Sequence, residues 1–198
     1  MSTSENKLNH QDSIKKNSTS KALHKKALHN KSYAELHCIS NYSFLRGASY
    51  PEELVIQASN LGYCALAITD ECSMAGVVKA HIAAKECGLK LIIGSEFFLD
   101  EDIQLILLSR NRLAYGQICN LITIGRRRAS KGEYKLSLKD LEYAMNECLA
   151  IWIPGRAESH HLDCGKRLAQ LFAGPLFTNR LWIGLEMFPD GHEIESYE

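Results

Sequence analysis

From Tyr33 onward the chain alternates between short apolar runs and longer stretches in which apolar residues recur every three or four positions. Short runs bounded by turn residues predict buried strands, and the wider spacing predicts helices with one inward face. A first strand is expected over about 33–38. Pro51 then opens a helix, with Glu52 and Glu53 in its first turn, where the helix dipole favours carboxylates. Leu54, Val55, Ala58 and Leu61 share one face of that helix, and Gly62 stops it. Residues 64–69 form a second strand, apolar nearly throughout, as expected of a strand covered on both faces. A helix over about 74–87 turns Val77, Val78 and Ile82 inward and ends at Gly88. A third strand covers 89–94 or runs on through Phe97 and Phe98, and a fourth covers 103–108. Asn111 caps a helix reaching about Ala129, with Leu113, Ile118, Leu121, Ile122 and Ile124 spaced for packing, and Ser137 opens another. A fifth strand at 148–153, a helix at about 160–173 and a sixth strand at 181–188 complete the pattern. This rhythm predicts an α/β fold built on a parallel sheet or barrel.

Residues 1–32 lack the pattern. They are Ser, Asn, Lys, Gln and His with few large apolar side chains, and cannot bury enough surface to offset ordering entropy. They are expected to be a disordered basic tail, and the repeated Lys-Ala-Leu-His at 21–24 and 26–29 is too short to hold a helix alone. The tail carries seven lysines against two acids, while residues 33–198 carry 16 basic and 21 acidic residues. The formal net charge of zero therefore conceals a basic arm on a mildly acidic domain. Such an arm can touch nucleic acid, although a solvated tail is the stronger reading. The 198 residues suffice for one domain with a modest core. Seven cysteines, an odd number with no Cys-x-x-Cys, sit mostly in apolar runs. They are expected to be buried and reduced, excluding a disulfide framework or a structural zinc site. No apolar run is long enough to span a bilayer, and the N-terminus lacks the apolar core of a secretory signal, so a cytoplasmic location is expected. Gly-x-Gly-x-x-Gly, P-loop and nucleophile-elbow motifs are absent.

Candidate chemistry gathers at strand ends. The first strand delivers His37, the second delivers Asp70 and Glu71, and the third delivers Glu96. A His, an Asp and a Glu at the carboxyl ends of successive buried strands is how α/β barrels assemble metal sites. Each residue also has an ordinary use: His37 as a hydrogen-bonding group at the barrel mouth, Asp70 as a helix cap, Glu96 as partner of a nearby Arg or Lys. Arg126, Arg127 and Arg128, with Lys131 and Lys135 close by, could meet a DNA backbone, but cations also complement a helix C-terminus, the stronger reading. His160 and His161 are adjacent and point in different directions, which argues against a ligand pair. Cys38 alternates to the face opposite His37, so it reads as core packing and not as a nucleophile.

Three blocks carry a resemblance. They are Glu-Leu-His-Cys-Ile-Ser-Asn-Tyr-Ser-Phe-Leu-Arg-Gly-Ala-Ser from Glu35, Leu-Ala-Ile-Thr-Asp-Glu-Cys-Ser-Met-Ala-Gly-Val-Val from Leu66, and Gly-Leu-Lys-Leu-Ile-Ile-Gly-Ser-Glu-Phe from Gly88. In this order they resemble the PHP (polymerase and histidinol phosphatase) domain at the N-terminus of bacterial C-family DNA polymerases, most of all the error-prone, damage-inducible branch. The likeness covers about residues 33–188. It implies a distorted (β/α)7 barrel, here incomplete at the C-terminus, with 33–198 as a PHP domain in a fragment or truncated gene product. It also implies a cluster of metals that activates water and clamps phosphate. Of the family's His-x-His, His37 is kept and Ile39 stands at the second position. Of Thr-Asp-His, Thr69 and Asp70 match and Glu71 replaces the histidine. Glu96 matches the family glutamate, Gln104 stands where a histidine is expected, and the final Asp-x-His falls beyond residue 198.

The resemblance thus implies a degenerate metal site of His37, Asp70 and Glu96, with Glu71 as a fourth ligand. The cofactor would be a divalent ion, zinc or manganese, weakly held or absent. Polymerase chemistry in the family belongs to a palm domain far downstream, so no catalytic residue is assigned here. The expected role is a structural platform for polymerase domains acting in damage-tolerant DNA synthesis. Its partners would be downstream domains or a separate polymerase chain, with DNA reached through the parent protein. The alternatives are a free-standing PHP-superfamily metal-dependent phosphoesterase, which Ile39 and Gln104 count against, and a decayed reading frame.

Overall fold

The computed structural model describes residues 33–100, 102–142, 146–154, 161–173 and 179–185. The expected tail, His160 and positions 186–188 of the expected sixth strand lie outside the described residues.

Among the described residues six strands, β1 (Ala34–Glu35), β2 (Ala65–Ile68), β3 (Lys90–Leu99), β4 (Ile103–Ser109), β5 (Cys148–Ile153) and β6 (Leu181–Ile183), lie in chain order in one sheet. The helices are α1 (Pro51–Asn60), α2 (Val77–Cys87), α3 (Arg112–Arg128), α4 (Leu138–Glu142) and α5 (His161–Leu171). Their starts follow local chemistry. Glu53 accepts the Tyr50 N–H at 2.9 Å ahead of Pro51, and the Asn111 side chain accepts the Ala114 N–H at 2.9 Å.

The expectation of a parallel sheet is corrected at one strand. β1, β2 and β3 are parallel, as are β5 and β6, but β4 is antiparallel to both β3 and β5. Only three positions separate Leu99 from Ile103, whereas a parallel return needs a crossover of about a dozen residues or more. The chain closes a hairpin instead, with Asp102 in the left-handed region at φ 54°. Reversal of β4 places its first residues at the end of the sheet where β1, β2 and β3 finish. Gln104 thereby comes into register with Phe98, two residues past Glu96.

Side-chain alternation divides the core. On one face Phe97, Leu105, Leu107 and Ala150 pack against Ala114, Ile118 and Leu121 of α3 and Leu168 of α5. Beyond them, Leu66 and Ile68 pack against Val55 and Ala58 of α1 and Ala80, Ala83 and Ala84 of α2. The opposite face carries Ala67, Ile106, Leu108 and Ile153. It lines a largely apolar trough of about 1020 Å³, so the sheet curls as a half-barrel with helices outside, an incomplete form of the expected distorted barrel.

Two inward expectations fail on α2. Val77 is buried, but Val78 is 68% and Ile82 54% exposed, because this helix approaches the sheet and α1 through its alanines. Leu61 and Leu113, at helix ends, are also exposed. Cys72, Cys148 and Cys164 are buried as expected of reduced core thiols, but Cys64 and Cys87 are exposed, lying at the start of a strand and the end of a helix. Among the described residues no helix is long and apolar enough to cross a membrane.

Candidate functional site

Because β1, β2 and β3 are parallel, the segments that leave them reach one end of the sheet together. His37 follows β1 by two residues, Asp70 and Glu71 follow β2, and Glu96 lies within β3. Glu96 is completely buried. Its Oε1 accepts the Gln104 side-chain N–H at 2.6 Å and lies 3.3 Å from His37 Nε2. Its Oε2 accepts from the Arg46 guanidinium. The same guanidinium reaches Glu71 Oε2 at 2.9 Å and sits 5.1 Å from the centre of the Phe98 ring. Glu71 Oε1 accepts the Tyr134 hydroxyl at 3.0 Å, and that phenol oxygen accepts the Phe98 N–H at 2.9 Å.

Burial works against ionisation of Glu96, but hydrogen bonds from His37, Arg46 and Gln104 outweigh it and hold the carboxyl below the usual carboxylate range. Burial likewise opposes the Arg46 charge, and its bonds to Glu96 and Glu71 hold it above its ordinary value. Burial pushes the Tyr134 phenol well up, so it remains a neutral donor.

Asp70 is used differently. Its carboxylate, 1% exposed, turns to the loop after β1. Oδ1 accepts the Ser40 N–H and the Ser43 hydroxyl, each at 2.8 Å, and Oδ2 accepts the Ser40 hydroxyl at 2.7 Å. The neighbouring carboxylates therefore grip one loop twice, Asp70 by its serines and Glu96 by Arg46.

A divalent ion does not fit this arrangement. A cation bridging Glu71 and Glu96 would stand where the Arg46 guanidinium stands, and Asp70 spends both oxygens on three donors. Gln104 turns an N–H to the site, and an N–H offers no lone pair to a metal. Burial pushes the thiols of Cys38 and Cys72 up to about 11, so both are neutral thiols at pH 7. Among the described residues no group of three or more His, Cys, Asp or Glu is placed to hold a metal ion.

The basic triplet is dispersed. Arg126 donates to the Cys72 carbonyl at 3.2 Å and the Gly132 carbonyl at 2.9 Å and stacks on Tyr134, while Arg128 grips Asp140 at 2.7 and 2.8 Å. Arg127 is exposed.

Sequence reasoning missed Arg46, Tyr134 and the two serines. One signal was present. Two carboxylates at adjoining strand ends, with three family imidazoles gone, need a positive charge from elsewhere, and Arg46 lies in the first quoted block.

The error-prone DNA polymerase of Methylococcus capsulatus is 53% identical to this chain over 160 residues, which are 80% of this chain and 15% of that polymerase. That of Dechloromonas aromatica is 49% identical over 168 residues, 82% of this chain and 16% of the polymerase. The chain thus spans about 15% of the length of the curated relatives it matches. Among solved structures, an amidohydrolase from Chromobacterium violaceum shares the fold, with a TM-score of 0.51 at 15% identity over 70% of this chain and 72% of that one. The PHP domain model matches residues 35–162, and the chain belongs to the PHP domain family.

Proposed function

We propose that this chain is the PHP platform of an error-prone DNA polymerase, supporting cytoplasmic, damage-tolerant DNA synthesis whose nucleotidyl transfer is carried out by other domains. The observation that carries this reading is Arg46, which fills the cation position between Glu71 and Glu96. A guanidinium fixed to the chain satisfies the carboxylates but supplies no open coordination position, so it can neither generate a metal hydroxide nor clamp phosphate oxygens as a metal cluster does. On this reading His37, Asp70, Glu71 and Glu96 are structural, and zinc or manganese binds weakly or not at all. DNA is reached through the larger protein. Residues 1–32 act as a basic tail ahead of the domain, and of the arginine triplet Arg127 and Arg128 are exposed, Arg128 being held by Asp140.

The test is hydrolysis and primer extension by the purified chain. With added zinc or manganese, p-nitrophenyl phosphate and single-stranded DNA should remain intact, and a primed template should not be extended. Metal-dependent hydrolysis that is lost in Glu71→Gln would establish the phosphoesterase reading instead. An unchanged thermal unfolding midpoint of Glu71→Gln, measured alongside, separates that loss from unfolding.

A further inference from the structure

We propose that Phe44 and Leu45 form an apolar docking knob that seats in a hydrophobic socket on another domain of the polymerase polypeptide. Arg46 and Asp70 hold the knob out. The inference rests on the platform reading and names the surface through which the platform works.

The loop that carries the knob is fastened at every side. The Asn41 N–H donates to the Ser49 carbonyl at 2.9 Å and closes its neck. The Ser43 carbonyl accepts from the Arg46 and Gly47 N–H groups, each at 3.0 Å. The chain passes so close to itself that a Cβ on Gly47 would lie 2.0 Å from the Ser40 carbonyl oxygen. Asp70 fixes Ser40 and Ser43, and Glu71 and Glu96 fix Arg46. At the tip, Phe44 is 85% and Leu45 90% exposed. Leu45 also takes φ 62°, a left-handed conformation that a leucine rarely adopts. Neither the strain nor the exposure stabilises this chain, and observed strain at a rigid, exposed site points to function. Anchors already held in place lose little conformational freedom on docking.

The occupant is a protein surface of the same polypeptide. Nucleic acid would want a cation beside the aromatic ring, but the neighbouring cation, Arg46, is committed to two carboxylates. Residues 33–198 also carry more acids than bases. The relatives devote about 85% of their length to other regions, and a tethered domain meets the knob at high effective concentration.

The experiment replaces the matching segment of the Methylococcus capsulatus polymerase with residues 33–185 of this chain. The substituted polymerase is compared with a version carrying Phe44→Ser and Leu45→Ser. The double variant should extend a primer at least tenfold more slowly and be cut by protease at the segment's junction, while the unfolding midpoint of the isolated 198-residue chain is unchanged. Equal extension and equal protection would overturn the knob and leave the platform reading standing. Failure of the unsubstituted chimera to extend a primer counts against the platform reading. The knob is then decided by a benzoylphenylalanine cross-linker, placed in the full-length Methylococcus polymerase at the position aligned with Phe44. Cross-links to peptides of that chain outside the PHP segment support the knob. Cross-links to DNA, to a second copy, or to nothing overturn it.

Discussion

Arg46→Ala isolates the central claim about the carboxylate cluster, because it deletes the cation and leaves Glu96 buried. Removing one partner of a buried ion pair costs about 3–5 kcal/mol. Glu96 is fully buried, but the Arg46 side chain is 34% exposed, and His37 and Gln104 remain beside the carboxylate. Water and these donors recover part of the loss, so about 2–3 kcal/mol is expected at pH 7. For a domain of this size that lowers Tm by about 5–10 °C. Urea denaturation of the parent, Arg46→Ala, Glu96→Gln and the double variant gives the coupling directly, expected at about 2 kcal/mol. The pH dependence checks the sign. In the folded parent, Glu96 titrates below its ordinary 4.5, so its contribution is complete above that value and is lost as pH falls through the folded one. Without Arg46, one of the groups that oppose burial is gone, so the folded carboxyl moves upward from its value in the parent and the variant binds its proton earlier as pH falls. The gap between parent and variant should therefore narrow from pH 7 to pH 4. A gap that stays constant over that range, or a coupling below about 0.5 kcal/mol, would refute the account.

Asp70→Asn sets an amide among three donors from Ser40 and Ser43 and should cost about 2–4 kcal/mol; a urea midpoint equal to the parent's would contradict the loop anchor. Gly47→Ala drives a methyl to 2.0 Å from the Ser40 carbonyl oxygen, backbone that cannot give way, and should cost about 2–3 kcal/mol in thermal unfolding. Ile39→His with Glu71→His and Gln104→His restores three imidazoles but leaves the guanidinium in the cation position, so calorimetry should detect zinc only once Arg46→Ala is added. Tight zinc binding with Arg46 intact would show that the guanidinium does not occupy the metal position.

Much of the fold was legible because its elements obey local rules. The strand runs at 64–69, 103–108 and 148–153 coincide with β2, β4 and β5 to within a residue, and Pro51 and Asn111 mark the starts of α1 and α3. The direction of β4 was legible too, but in connection length and not in periodicity, since three positions cannot carry a crossover. β1 was overestimated. Among the described residues it is an edge strand paired with β2, and it ends at Glu35, so His37 lies outside the pleat and turns toward Glu96. The inward face of α2 was misread because hydrophobicity favours Val78 and Ile82. Close approach of two helices and a sheet favours the alanines instead, a matter of distance that one helix's periodicity does not encode.

The site was legible to the same depth and no further. Parallel strands finish at one end, so the meeting of His37, Glu71 and Glu96 follows from topology alone. Which cation answers the carboxylates does not, because that depends on how the loop at 40–49 folds back. Charge balance narrows the choice. A fully buried Glu96 that stays ionised must have a cation or an equivalent set of donors. By the family resemblance Ile39, Glu71 and Gln104 stand where imidazoles are expected, so a metal here would have three fewer neutral ligands while the carboxylates remain. Arg46 resolves the imbalance by adding charge without requiring ligands, and its planar guanidinium reaches two carboxylates and a ring face at once. Arg46 directly follows Phe44 and Leu45 in the chain, so its bonds to the carboxylates hold that stretch of backbone in place. Arg46 thus serves twice, its guanidinium answering the carboxylates and its backbone carrying the proposed knob.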